Sequence, residues 1–224
     1  MKISVAIVTR DKNKILPKCL ETAGLVSDDV VIVTGDDHKF VDFSDQKNYA
    51  ASICKNDWIL SLDDDEWLST ELISEINNLS GEFSAYKIPR LNYIFGKEIK
   101  YSNWDPRTDT HIWLFDRRVS KWVGVVHEDI ETRGKIGQLS GNKIHSNYST
   151  VEQFVSKLNQ YTTLEAVKSP RPLWWLPFYP VWKFIRHYFI YFGFLDGWHG
   201  FYLSYLQAIY GLVVVIKSWQ RKNI

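Results

Sequence analysis

Apolar positions gather into short uncharged runs near the start of the chain. Residues 3–8 (ISVAIV) and 30–33 (VVIV) are rich in β-branched side chains and carry no charge, the pattern of strands covered on both faces. Between them Leu16, Cys19, Leu20 and Ala23 recur at helical spacing and Gly24 can end the turn, so the opening predicts a βαβ unit and hence a parallel sheet. A second helix is predicted over 46–53 with Tyr49, Ala50 and Ile53 inward, followed by a third buried strand over 57–62 (DWILSL). That strand runs straight into Asp63-Asp64-Asp65-Glu66. Residues 69–79 carry a cap signal at Ser69 or Thr70 and the apolar set Leu72, Ile73, Ile76 and Leu79, which predicts a helix. From Ala85 to Ile144 the pattern shortens into alternating pieces broken by Gly and Pro, which predicts mixed or antiparallel strands. Helical periodicity returns over 151–168.

Composition narrows the class. The chain has 224 residues, 45% hydrophobic and 24% charged, enough for one sizeable core or a core plus an appendage, and it is neither a disordered nor a disulfide-scaffold composition. Cys19 and Cys54 stand alone, without a CxxC or a neighbouring His, so neither a zinc site nor a redox pair is expected and a reducing compartment fits. The first apolar run is too short for a signal-peptide core, and a cytosolic protein is expected. The net charge of +1 hides an asymmetry: residues 1–167 hold 20 Lys and Arg against 25 Asp and Glu, residues 168–224 hold 7 against 1. The two parts face different partners.

The acidic run is the first candidate for chemistry. In open α/β sheets ligands sit beyond the carboxyl ends of strands, and three aspartates and a glutamate in that position repel one another unless a cation neutralises them. Asp63 and Asp65, as alternate residues, can aim oxygens at one ion while Asp64 points elsewhere. Carboxylates without cysteine favour a hard divalent ion, Mg²⁺ or Mn²⁺, which takes further ligands from water and substrate phosphates. A solvated acidic turn that caps the next helix is the plain alternative; the buried strand before it argues against that.

Several motifs taken together carry a resemblance. The order IVTR(D) after the first strand, QKN ahead of a helix, DWILSLDDDE, an aromatic-rich middle ending in VHE, and GFLDG near the end resemble family 2 glycosyltransferases. More narrowly they are similar to the bacterial branch acting on lipopolysaccharide or lipooligosaccharide inner core, where the acidic motif usually reads LDADE. The resemblance implies a GT-A fold: α/β, Rossmann-like, with a mainly parallel central sheet flanked by helices and here a C-terminal aromatic-rich helical extension. It implies an inverting transfer of a hexose, glucose foremost, from a nucleotide diphosphate sugar such as a UDP-sugar to a lipid-linked saccharide. On that basis Asp63 and Asp65 form the metal pair, Asp65 the more direct ligand of Mn²⁺ or Mg²⁺, and His145 completes the shell. Glu128 is implied as the base that takes the acceptor hydroxyl's proton, with Asp129 in reserve, and His127 stands beside it as a lesser ligand candidate. Thr9, Arg10, Lys47, Asn48, Asp63 and Asp64 are implied on the nucleotide and donor side. Relatives usually read DSGSTD after the second strand; here TGDDHKF puts Thr34 in place of the acid, with Asp36 or Asp37 as substitutes, Asp36 being the expected nucleotide contact. The stretch from there to QKN is short for a helix. Trp113 stands where relatives often place an arginine.

The tail differs in kind. Residues 171–219 hold 17 of the chain's 34 aromatic side chains, four basic residues and one acid, Asp196. Tryptophan and tyrosine prefer the headgroup region and basic residues favour anionic lipid, so helices lying on a membrane are expected. The 20 residues of 197–216 have no formal charge, the length of a span, yet His199, Ser204, Gln207 and the aromatics make a poor one. Spanning and packing against a partner are the other two readings. The basic residues are too sparse to track a nucleic-acid backbone. The expected division is a catalytic domain over 1–168 and a membrane-associating extension over 169–224, on the cytoplasmic face of the inner membrane. A binding or scaffold protein that keeps the fold without the catalysis is the alternative function, motivated by TGDDHKF.

Overall fold

The computed structural model describes residues 1–124 and 128–223. Two compact units divide the chain: residues 1–91 with 109–145, and 92–108 with 146–224. The boundary expected at 168 falls inside the second unit.

In the first unit β1 (Ile3–Val8), α1 (Pro17–Gly24), β2 (Val30–Val33), α2 (Phe43–Ile53) and β3 (Trp58–Asp63) follow one another as the hydrophobic pattern predicts. Strand β1 pairs in parallel with β2 and β3, Val8 lying opposite both Val33 and Asp63. A short strand absent from the sequence reading, β4 (Glu66–Leu68), follows the acidic turn, and Ser69 then caps α3 (Thr70–Asn77) by accepting the Leu72 N–H. Next come β5 (Ala85–Ile94), β6 (Lys97–Glu98), β7 (Thr110–Asp116), β8 (Ser120–Val123), β9 (Asp129–Thr132), β10 (Ile136–Gln138) and β11 (Lys143–Tyr148). The sheet order is β2-β1-β3-β7-β5-β11-β4, with β7 antiparallel to β3 and β5, β11 antiparallel to β4, and β8 with β9 paired separately. The class is mixed α/β: a parallel βαβ core, extended by the antiparallel strands that the broken pattern after Ala85 predicts.

The core of this unit is built from the uncharged runs, with Val5, Ile7, Ile59, Leu60, Leu62 and Leu114 fully buried. Two expected inward residues face water. Leu20 is exposed because α1 buries Cys19, Thr22 and Ala23, a face set one residue away from it, and Ile53 is exposed at the last position of α2. Cys19 and Cys54 are free and buried, and burial raises their thiols to about 12 and about 11, so neither supplies a thiolate at neutral pH.

The second unit contains α4 (Val151–Lys168), α5 (Tyr179–Ile185), a π-helical turn over Arg186–Ile190, and α6 (Trp198–Asn223). Its core joins Ile94, Ile99, Phe154, Leu158 and Leu203, which is why α4 groups here rather than with the strands before it. A Cβ on Gly200 would meet the Gly193 carbonyl at 1.7 Å, so the GFLDG segment can close on α6 only where position 200 carries no side chain. Asp196 of that segment is buried and accepts the backbone N–H groups of Lys100 and Tyr101.

His187 is buried and donates from Nδ1 to the Ser102 carbonyl at 2.9 Å. Burial, aided by Lys183 and Arg186, lowers its imidazole to about 4. Above pH 6.5 both the folded and unfolded states are neutral here. As pH falls towards 4 the unfolded chain takes a proton that the folded one refuses, so stability should decline by about 3 kcal/mol. Urea melts at pH 7, 5.5 and 4.5 test this: His187→Asn, which keeps a donor, should flatten the decline, and an equally steep decline in that variant refutes it.

Candidate active site

The site sits at the carboxyl ends of β1 and β3, where the backbone turns four acids in different directions. Asp64 accepts a short hydrogen bond from the Thr9 hydroxyl, and its backbone carbonyl takes the Leu16 N–H at 2.9 Å. Burial, then the neighbouring Asp65 and Asp63 charges, raise its carboxyl above the usual range despite the Thr9 bond. Asp64 therefore fastens the turn to the end of β1.

Asp63 faces Lys47. The Lys47 ammonium, on α2, is 4% exposed and lies 3.4 Å from Asp63 Oδ1 and 3.1 Å from Glu128 Oε1. One buried cation thus joins the acidic turn to the carboxylate expected as base. Burial pulls Lys47 down, but Asp63 and Glu128 together hold it above the ordinary lysine value. Its ammonium also stands 4.6 Å from the centre of the Trp122 ring. The neighbouring Asn48 donates to the Trp122 carbonyl and accepts the Trp122 N–H, both at 2.9 Å, and Ser44 one turn earlier donates to the Gly124 carbonyl. Residues 44, 47 and 48 share a helix face, so α2 holds the chain on either side of the undescribed residues and brings Glu128 to the turn. Here Asn48 bonds backbone of this chain. His127 lies outside the described residues.

Asp65 faces His145. Their Oδ1 and Nε2 atoms are 3.4 Å apart, because β11 pairs with β4 in a register that sets His145 opposite Glu66. Among the described residues no group of three or more His, Cys, Asp or Glu side chains stands ready for a metal. The donor chemistry of this pair nonetheless fits a hard divalent ion: one carboxylate and one imidazole leave the remaining positions to water and phosphate oxygens.

Glu66, the fourth acid, is not at the surface at all. It is fully buried, with Oε2 accepting the Asp63 N–H at 2.9 Å and the Lys143 ammonium at 2.7 Å, and Oε1 3.4 Å from Arg90. Burial alone would raise its carboxyl; Lys143, His145 and Arg90 bring it down to about 2. Lys143 is equally buried and stands 3.2 Å from the centre of the Trp113 ring, with Arg90 over the same ring at 5.5 Å. The tryptophan found where relatives often carry an arginine is thus a floor for two cations that reach the acidic turn.

At the end of β2, Asp37 rather than Asp36 is built in: its carboxylate accepts the Thr34 N–H and hydroxyl at 2.9 and 2.8 Å and lies 3.1 Å from Lys12. Asp36 and Arg10 are exposed. Gln46 Nε2 donates to the Thr34 carbonyl at 2.7 Å, and His38 stacks on Tyr49 with ring centres 4.2 Å apart. No helix precedes α2 in this stretch, as its shortness predicts.

The sequence reading named Asp37 only as the second choice after Asp36, missed Arg90 and Lys143, and left Glu66 without a role. Lys143 had a signal: it alternates with His145 on one strand and so shares its face. Arg90 sits inside a strand two residues from Ile88 and Asn92, and nothing local marks it.

No family model matches the chain. It is 25% identical to an uncharacterized glycosyltransferase of Rickettsia prowazekii over 92% of this chain and 83% of that one. It is 25% identical to another of Rickettsia conorii over 100% and 93%, and 24% identical to the lipopolysaccharide core biosynthesis glycosyltransferase LpsC of Rhizobium meliloti over 99% and 93%. Among solved structures it resembles S. aureus TarS (residues 1–349) with a TM-score of 0.40 and 11% identity, over 75% of this chain and 65% of that one. The resemblance to glycosyltransferases read from the motifs therefore extends over the length of the chain.

Proposed function

We propose that this protein is an inverting, metal-dependent glycosyltransferase that moves a hexose from a nucleotide diphosphate sugar, UDP-glucose foremost, to a lipid-linked saccharide of the lipooligosaccharide inner-core type. The observation that carries the reading is the buried Lys47, which links the Asp63–Asp65 turn to Glu128 beside the Asp65 and His145 pair, in a chain whose full-length relatives are named glycosyltransferases.

In this reading Glu128 takes the proton of the acceptor hydroxyl while that oxygen bonds to the anomeric carbon. The bond from that carbon to the diphosphate breaks, and the diphosphate leaves with the electron pair. Lys47 faces the charge that develops on the leaving oxygens and keeps Glu128 oriented. A divalent ion, when bound by Asp65 and His145, supplies Lewis-acid neutralisation of the diphosphate. Thr9, Arg10 and the residues after β2 meet the nucleoside. The second unit lies on the cytoplasmic face of the inner membrane, where the acceptor is anchored. Among the described residues α6 is the one helix long and apolar enough to cross a membrane, but His199, Ser204 and Gln207 interrupt its uncharged stretch, which supports lying on the surface.

Calorimetric titration of UDP, GDP and their sugar conjugates, with and without Mn²⁺, tests the donor side. One nucleotide should bind only with metal, and Asp65→Ala should weaken it by about tenfold or more. Failure of every nucleotide to bind would favour instead a membrane-bound binding module that retains only the fold.

A further inference from the structure

The second unit carries a cavity that the proposed reaction does not use. It has a volume of about 580 Å³ and is lined by Phe95, Val151, Phe201, Tyr202, Tyr205 and Leu206, within the size range of small-ligand sites. No charged side chain lines it. Its floor is the unit's own core, against which Phe95 and Tyr202 pack with ring centres 5.9 Å apart. Its rim is open, with Val151 57%, Phe201 39% and Tyr205 58% exposed. From Tyr205 the exposed residues Ile209, Leu212 and Ile216 continue at spacings of four, three and four along α6, so the cavity opens onto an apolar stripe rather than onto a polar surface. An exposed apolar surface of this extent marks a binding face.

Charge identifies the occupant. The second unit holds 11 Lys and Arg against 5 Asp and Glu. Three of those five are turned inward: Asp196 binds backbone N–H groups, Glu165 accepts the hydroxyls of Tyr179 and Tyr210, and Asp105 is buried and pairs with Arg107. What the unit shows to solvent is positive charge beside aromatic and aliphatic side chains, the complement of an anionic headgroup layer over acyl chains. We propose that the cavity seats one acyl chain of an anionic membrane phospholipid, its headgroup held among the unit's basic side chains. This rests on the reading that the unit lies on a membrane, and adds that it extracts a chain into a defined seat.

The test uses the full chain with vesicles of phosphatidylglycerol and phosphatidylcholine containing a trace of phospholipid that carries a photoreactive diazirine in one acyl chain. After photolysis, adducts should map to Phe95, Val151 and 201–206. Val151→Asp places a carboxylate at the first residue of α4, where the helix end tolerates it, and should cut those adducts about tenfold while co-sedimentation with the vesicles persists through the stripe. Val151→Leu should retain them. If the unaltered protein does not sediment with the vesicles, the membrane reading fails and this proposal with it. If it sediments but the adducts lie only elsewhere on α5 and α6, or survive Val151→Asp, the seat is refuted and the membrane reading stands. Equal labelling from vesicles of phosphatidylcholine alone would overturn the anionic requirement.

Discussion

Glu128→Gln is expected to lower sugar transfer about a thousandfold, within the span that a positioned general base contributes, while leaving metal-dependent nucleotide binding nearly unchanged. The geometry makes the two effects separable. Lys47 lies between Asp63 and Glu128, and the neutral amide keeps a hydrogen-bond acceptor in front of its ammonium, so Asp63 retains its cation and the turn its shape. What the amide lacks is the ability to accept a proton from the acceptor hydroxyl. Lys47→Met should behave differently. It removes the buried charge from both carboxylates, so nucleotide affinity and turnover should fall together. Steady-state kinetics beside calorimetry distinguishes the two patterns. Near-normal turnover by Glu128→Gln moves the base elsewhere, with Asp129 the first alternative, and a matching fall in nucleotide affinity makes Glu128 a binding group.

The parts of this molecule legible from sequence are those where one residue's environment is decided within a few neighbours. Runs such as ISVAIV and WILSL have no charge to place in water, so their burial and parallel pairing follow from composition alone. Caps follow likewise: Ser69 accepts an N–H three residues on. What could not be read is decided across the sheet. Glu66 looks like its three acidic neighbours, yet it is the residue that points into the strands, and only the pairing of β4 with β11 reveals that a lysine 77 positions later meets it. Asn48, implied on the donor side, holds the Trp122 backbone for the same reason: the fold, and not the local sequence, brings β8 alongside α2. Resemblance supplied roles for such residues, and the geometry sorts them into those that face the open end of the sheet and those that hold it in place.

That sorting yields the largest expected effect on stability. Lys143→Met removes the ammonium 2.7 Å from a fully buried carboxylate and should cost about 3–5 kcal/mol, the usual penalty for orphaning one member of a buried pair. Burial lowers Lys143 to about 8 against the pull of Glu66, so both members are ionised at pH 7 and the charge is there to lose. Arg90 does not replace it, because it is 3.4 Å from Glu66 and is committed at 2.8 Å to Asp109. Glu66→Gln is milder, since the amide oxygen can still accept the Asp63 N–H, and about 1–3 kcal/mol is expected for the altered hydrogen bonds. Combining Glu66→Gln with Lys143→Met removes both charges from the interior, so the pair should be less destabilised than the sum of the two, as contacting residues are when measured in a double-mutant cycle. Urea unfolding at pH 7 reads all three. A loss below about 1 kcal/mol for Lys143→Met, ordinary for any substitution, would mean that water or Arg90 takes over the carboxylate, and strict additivity would mean that the ion pair is not what holds β11 to the acidic turn.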